Sequence, residues 1–311
     1  MHSQAVSSHA VPEQAGEGSV LLRFASAAFG LPILAFVVWF GPPDQEIHWF
    51  SAFIFIVAII ATVEVRQLAA KWGESVHVGI PVILTAFMIS SGHQAANGVE
   101  LKAWGELTPD FVVTFTKYAI VVSMYLAAWR LARTDQIWGS GGSPRFFSAI
   151  AISIYASGFL FFAPQIRALD QGMEWIFYIL IVVFATDTCA YFVGRTIGKT
   201  PLAPNISPNK TREGSIGGFV GAVVASALSV NLLGLNAIMM EAILLGALIG
   251  ILAQIGDLVE SSMKRKAGVK DSGFLIPGHG GLLDRIDSIL FPLPVVFYFV
   301  IWEVQQKGLL S

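Results

Sequence analysis

Apolar residues along this chain are gathered into long blocks separated by short polar breaks, with neither the two-residue alternation of a strand nor the one-sided stripe of a soluble helix. Crossing about 30 Å of hydrocarbon takes about 20 helical residues. Nine stretches approach that length. The first four run near Val20 to Phe40, Trp49 to Val65, Val76 to Ser91 and Phe111 to Leu131. The other five run near Phe146 to Ala163, Met173 to Gly194, Ser215 to Leu235, Met240 to Leu258 and Ile286 to Val304. The pattern predicts an all-α polytopic membrane protein with about nine transmembrane helices.

Lysine and arginine test that count, because a wrong number of spans scrambles their alternation between the two sides. Fifteen of the 19 fall on one side, among them Arg66, Lys71, Arg195, Lys210, Lys264, Arg265, Lys266, Lys270 and Arg285, and only Lys102, Arg167 and Lys307 on the other; Lys117 lies inside the fourth stretch. The asymmetry predicts a cytoplasmic N-terminus. Residues 1–19, without Lys or Arg, are expected to form a disordered polar tail, residues 20–170 an N-terminal set of spans, and residues 171–311 a catalytic membrane region. Its two most charged connections, 195–214 and 259–285, both fall on the cytoplasmic side.

Composition agrees. Of the 311 residues, 55% are hydrophobic and 13% charged, with a mean hydropathy of +0.68, against about 25% charged in an ordinary soluble domain. A net charge of −2 argues against a nucleic-acid partner. A lone Cys189 can form neither an intrachain disulfide nor a cysteine metal cluster.

The densest chemistry lies in SSMKRKAGVKDSGFLIPGHGGLLDRID, Ser261 to Asp287. Lys264, Arg265, Lys266 and Lys270 could form a patch for anionic lipid. The adjoining Gly278, Gly280 and Gly281 instead allow amide nests for an anion, and His279 can donate to a phosphate or cap a turn. Asp187, Asp257 and Asp284 stand at span ends, where a carboxylate needs a partner or a wet cavity. Such oxygen donors suit a hard cation such as Mg²⁺, and the alternative is pairing with Arg285, Arg195 or Lys264. In the other connection, GRTIGKT is not a phosphate loop, since Gly194 and Gly198 enclose three residues where four are needed. Ser207, Lys210, Thr211 and Arg212 remain, ahead of a span whose N-terminus can receive phosphate oxygens. Glu64 and Arg66 read as the anchor of a span end.

These residues resemble the phosphatidate cytidylyltransferases. Ser261, Met263-Lys264-Arg265, Lys270-Asp271, Gly273, Ile276-Pro277, His279-Gly280-Gly281 and Asp284-Arg285-Ile286-Asp287 follow that family's signature in order, and DTCAYFVGR and ISPNKTREGSIGG resemble its upstream cytoplasmic segment. Arg212 stands where that family commonly has an aromatic or aliphatic residue. The resemblance covers Phe184 to Ser288. It implies CTP and phosphatidic acid as substrates, Mg²⁺ with a monovalent cation such as K⁺, a homodimer, and a bacterial inner-membrane location with the site facing the cytoplasm. It further implies a metal centre at Asp257 and Asp284, with Asp187 in reserve. Catalytic roles would then fall to Asp257, Asp284, Lys264, Arg265, Lys270, Arg285 and Asp287, and phosphate binding to Ser207, Lys210, Thr211, Ser261, His279, Gly280 and Gly281. The rival expectations are a CTP-dependent polyprenol or phytol type lipid kinase and an ion-coupled transporter.

Overall fold

The computed structural model describes residues 35–39, 46–73, 77–96, 150–275 and 280–310. The expected tail, the fourth stretch, most of the first, and His279 lie outside the described residues. Helix α1 spans Glu46–Lys71 and α2 Gly79–Ala96. Helix α3, Ile150–Arg167, contains a π-helical turn at Ile154–Gly158. Then come α4 (Gly172–Ile197), strands β1 (Pro201–Ala203) and β2 (Ser207–Thr211), α5 (Arg212–Leu233), α6 (Met239–Lys266), α7 (Leu283–Leu290) and α8 (Pro292–Leu310). Among the described residues six segments are long and apolar enough to cross a membrane: Trp49–Lys71, α3, α4, α5, α6 and the joined α7–α8 at Leu283–Trp302. The apolar part of α2, Gly79–His93, is shorter. The chain is a mostly helical integral membrane protein.

Two features depart from the sequence expectation. The connection at 195–214 is not irregular: Pro201–Ala203 and Ser207–Thr211 form an antiparallel hairpin, so the fold is not purely helical. Pro204, Asn205 and Ile206 make its turn, and the hairpin is locked to α5 by Arg212 N–H donating to Thr200 O (2.8 Å) and by the Glu213 carboxylate, which accepts from Lys199 and Thr200 N–H (3.1 Å each). Second, α6 does not stop near Leu258 but continues through Lys266. Nothing in VESSMKRK breaks a helix, so the drop in hydropathy marks where α6 meets polar surroundings.

Local chemistry sets the ends. Thr211 caps α5 by accepting from Gly214 N–H at 3.1 Å, and Gly234 closes it in the left-handed region at φ 63°. Pro292 has no N–H to continue α7 and its ring would meet the carbonyl four residues back, so the span is broken into α7 and α8.

Small residues bring the C-terminal helices together. Lipid is as apolar as leucine, so packing must come from close backbone approach. A side chain at Gly217 would strike Val193, at Gly218 Ala190, at Gly221 Cys189 and at Gly250 Ala222. Cys189 serves there as a small filler between α4 and α5. Buried hydroxyls are used internally: Tyr178 Oη and Ser226 Oγ lie 2.7 Å apart, and Ser226 also donates to Ala242 O at 2.5 Å. The opposite ends of α4 and α5 are tied by Gln171, which donates to Gly234 O (2.9 Å) and accepts from Asn236 N–H (3.0 Å).

Gly250→Val tests the α5–α6 contact, because the new Cβ would lie 2.6 Å from that of Ala222. The expected cost is about 1–3 kcal/mol, seen as a lower unfolding temperature in detergent. Val224→Leu, on an exposed face of α5, is the control that leaves it unchanged.

Candidate functional site

The C-terminal ends of α4 and α6, the hairpin, and the N-terminal ends of α5 and α7 surround a cavity of about 820 Å³. Along α4, Phe184, Asp187, Thr188, Tyr191 and Arg195 recur at three- and four-residue spacing and are exposed, so one polar stripe of a membrane helix faces open space. Asp187, Tyr191 and Arg195 line the cavity. The Arg195 guanidinium donates to Tyr191 Oη (2.7 Å) and lies over its ring.

From α6 the cavity receives Gln254, Asp257 and Lys264, one helical face at intervals of three and seven residues. The Lys210 ammonium on β2 pairs with Asp257, which also accepts from Ser261 Oγ at 3.2 Å. Gln254 latches α6 to α5: its amide donates to Ser215 O (3.3 Å) and accepts from Ser215 Oγ (2.5 Å). Lys264 stands between two carboxylates, pairing with Glu260 and donating to Asp284 Oδ1 at 2.6 Å.

Among the described residues Asp284 is the most heavily used side-chain acceptor. Besides Lys264, its Oδ2 takes Ser272 N–H (2.9 Å), Ser272 Oγ (2.9 Å) and Gly281 N–H (2.8 Å). Asp287, one turn on, is 8% exposed and accepts from its neighbour Ser288 N–H at 2.7 Å. The carboxylates of Asp187, Asp257 and Asp287 act on one another electrostatically.

The structure thus gathers Asp187, Asp257, Asp284, Asp287, Lys210, Lys264, Arg285, Ser207 and Thr211 around one space. Ser261, Gly280 and Gly281 stand behind it: Ser261 supports Asp257, Gly281 supplies an amide to Asp284, and Gly280 turns the chain at φ 82°. Arg265 and Lys270 are exposed and not among the lining residues. Arg265 faces the other way, donating to Ile206 O (3.0 Å) and Val269 O (3.2 Å), and so ties α6 to the tip of the hairpin.

Two residues have roles that the sequence reading did not assign. Glu64 of α1 is no interfacial anchor: it is 5% exposed and accepts from Leu282 N–H (2.9 Å), Leu283 N–H (2.7 Å) and Ser272 Oγ (3.1 Å). A helix from the first half of the chain thereby holds the segment that presents Asp284. Glu260 is wholly buried beneath the cavity. Its spacing was the available signal, three residues after Asp257 and four before Lys264 on one helix.

The donor set fits a hard cation. Among the described residues no three acidic or histidine side chains are gathered into a ready metal cage. Magnesium, however, takes one or two carboxylates and leaves its other positions to water and phosphate. Asp257, with Asp187 and Asp284 on the same cavity, meets that need beside the cations Lys210, Lys264, Arg195 and Arg285 that would meet phosphate oxygens.

Residues 21–302 match the model of the cytidylyltransferase family. The chain is 44% identical over 149 residues to a phosphatidate cytidylyltransferase of Bacillus subtilis, covering 48% of this chain and 55% of that protein. It is 41% identical over 150 residues to one of Staphylococcus haemolyticus (48% and 56%) and 42% identical over 152 residues to one of Staphylococcus aureus (48% and 56%). The chain spans about half the length of these relatives in the aligned region.

Glu64→Ala leaves two backbone amides without their acceptor, while Ser272 Oγ retains Asp284. The expected loss is on the order of 3 kcal/mol locally, read as faster hydrogen exchange at Leu282 and Leu283. Unchanged protection there would show that Glu64 does not hold the segment.

Proposed function

Since the chain belongs to the cytidylyltransferase family, we propose that it joins CTP to phosphatidic acid, giving CDP-diacylglycerol and pyrophosphate. The observation that carries this reading is the convergence of two ammonium–carboxylate pairs, Lys210–Asp257 and Lys264–Asp284, on one cavity at the basic end of a membrane bundle. Its chemistry suits two polyanions that repel each other in water.

A phosphate oxygen of the lipid attacks the α-phosphorus of CTP, a new P–O bond forms, and the bond to the β-phosphate oxygen breaks to release pyrophosphate. The attacking oxygen is already anionic near neutral pH, so no strong base is required, and the barrier lies in alignment and charge. Lys210, Lys264 and Arg285 line the cavity and would neutralise phosphates, with Ser207 and Thr211 as hydroxyl donors. Lys210 and Lys264 exchange a carboxylate partner for a phosphate, which keeps them paired before and after substrate enters. Asp257, with Asp284 and Asp187, would hold Mg²⁺, which when bound supplies positive charge to the triphosphate and the leaving pyrophosphate. The exposed stripe of α4 gives the lipid headgroup a route to the cavity from the hydrocarbon side, with Arg195 at its polar end.

The same reading includes nine crossings, a cytoplasmic N-terminus, and a cavity on the cytoplasmic face of a bacterial inner membrane. It is supported by the basic residues Arg195, Lys210, Arg212, Lys264, Arg265 and Arg285, which all cluster at the cavity end of their elements. K⁺ as a second cation and a homodimer belong to this reading as well.

Purified protein in detergent with CTP and Mg²⁺ is expected to release pyrophosphate only when phosphatidic acid is present, with cytidine label passing into the lipid phase. Asp257→Asn and Lys264→Met are each expected to lower kcat about 100-fold or more. Free CDP with unlabelled lipid would indicate a kinase instead, and untouched CTP would turn attention to ion-driven transport.

A further inference from the structure

Below the cavity floor lies a buried group that the reaction as described does not use. Glu260 is 0% exposed, and apart from the Lys264 ammonium neither of its oxygens has a partner. It also feels the negative charges of Asp287 and Asp284. A carboxylate in that position is costly, and a helix deep in a bundle gains nothing from it as packing.

Lys264 shows what the charge can do. An ammonium has three N–H donors. Glu260 and Asp284 engage it from two sides, and it reaches the cavity with its side chain 13% exposed. This arrangement leaves a donor for a ligand oxygen and restrains a four-carbon stem that otherwise wanders among rotamers. With Glu260 neutral, Asp284 alone would hold the ammonium.

We propose that Glu260 is a positioning residue for the nucleotide: from beneath the cavity it holds the Lys264 ammonium toward the triphosphate. This rests on the CTP reading above. No bond is made or broken by Glu260; it acts through Lys264.

The test is CTP binding by calorimetry in detergent, with unfolding temperatures, for the wild type, Glu260→Gln, Glu260→Asp, Lys264→Met and the Glu260→Gln/Lys264→Met double variant. Glu260→Gln is expected to weaken Kd about tenfold without lowering the unfolding temperature, since it removes a buried charge. Glu260→Asp, which draws the carboxylate back from the ammonium by one carbon, is expected to weaken Kd about threefold. The double variant binds no more weakly than Lys264→Met, as required if Glu260 acts through that ammonium. Wild-type affinity in Glu260→Gln, or a loss that adds in full to that of Lys264→Met, overturns the proposal. Should Glu260→Gln unfold, Glu260→Asp decides, and an unchanged Kd there also overturns it. A wild type that binds no CTP overturns the functional reading and this inference with it, which separates the two failures.

Discussion

A carboxylate beside hydrocarbon stays charged only if something donates to it, and this constraint organises the C-terminal half of the molecule. Asp257 has Lys210 and Ser261; Asp284 has Lys264 and a shell of amides and hydroxyls; Glu64 has two amides and Ser272. Apart from Ser261, which shares α6 with Asp257, each donor comes from a different element from its acceptor or from a turn that the acceptor fixes. Electrostatic satisfaction and tertiary structure are therefore one problem here. The hairpin is held at the cavity by Lys210 reaching Asp257, and the segment before α7 is held by Ser272 between Glu64 and Asp284.

Packing makes that solution possible. Gly217, Gly218 and Gly221 on α5 let α4 approach within backbone distance, and Gly246 and Gly250 do the same between α5 and α6. Three helices so close bring their ends into one cluster, and the polar residues at those ends, Asp187, Ser215, Gln254 and Asp257, meet without a soluble domain to carry them. The site is a property of helix ends rather than of a separate lobe.

This explains what was legible in the sequence. Asp257 interrupts a strongly apolar run and Asp284 stands just before one, so hydropathy exposes them, and the spacing from Ser261 to Asp287, with Lys264 inside it, carries a family likeness. Their convergence with Lys210 across 47 residues is a tertiary fact that no local pattern contains. Glu64 shows the limit most clearly: in sequence it is one acidic residue near a span end, 208 residues from Ser272, and only the packing of α1 against the later helices turns it into an acceptor for α7. The hairpin was hidden for another reason. Its strands are three and five residues long and rich in proline and asparagine, so they lack the alternation by which a strand is read. Glu260 was hidden by company, since a charge among KRK and ESS reads as solvated until the helix is seen to continue past it.

The pairing in this structure also bears on how such a cavity could handle substrates without long-lived exposed charge. A lysine waiting unpaired at the edge of a bilayer would cost free energy in every empty cycle, and so would an unpaired aspartate. Paired with each other, Lys210 with Asp257 and Lys264 with Asp284, they wait at low cost and remain mutually replaceable, because phosphate competes for the ammonium with the same oxygen chemistry the carboxylate offers. Such a site responds to a ligand that brings both signs, an anion with its own counter-cation, more strongly than to either alone. A nucleoside triphosphate with a divalent ion is that kind of ligand, and the asymmetry of the pairs refines the preference. Lys264 keeps Glu260 behind it when Asp284 lets go, whereas Lys210 has Asp257 as its carboxylate and is 30% exposed. On the proposed reading the first pair would hold position and the second would move, with the buried ammonium on the part of the ligand that must be placed and the exposed one on the part that arrives and leaves.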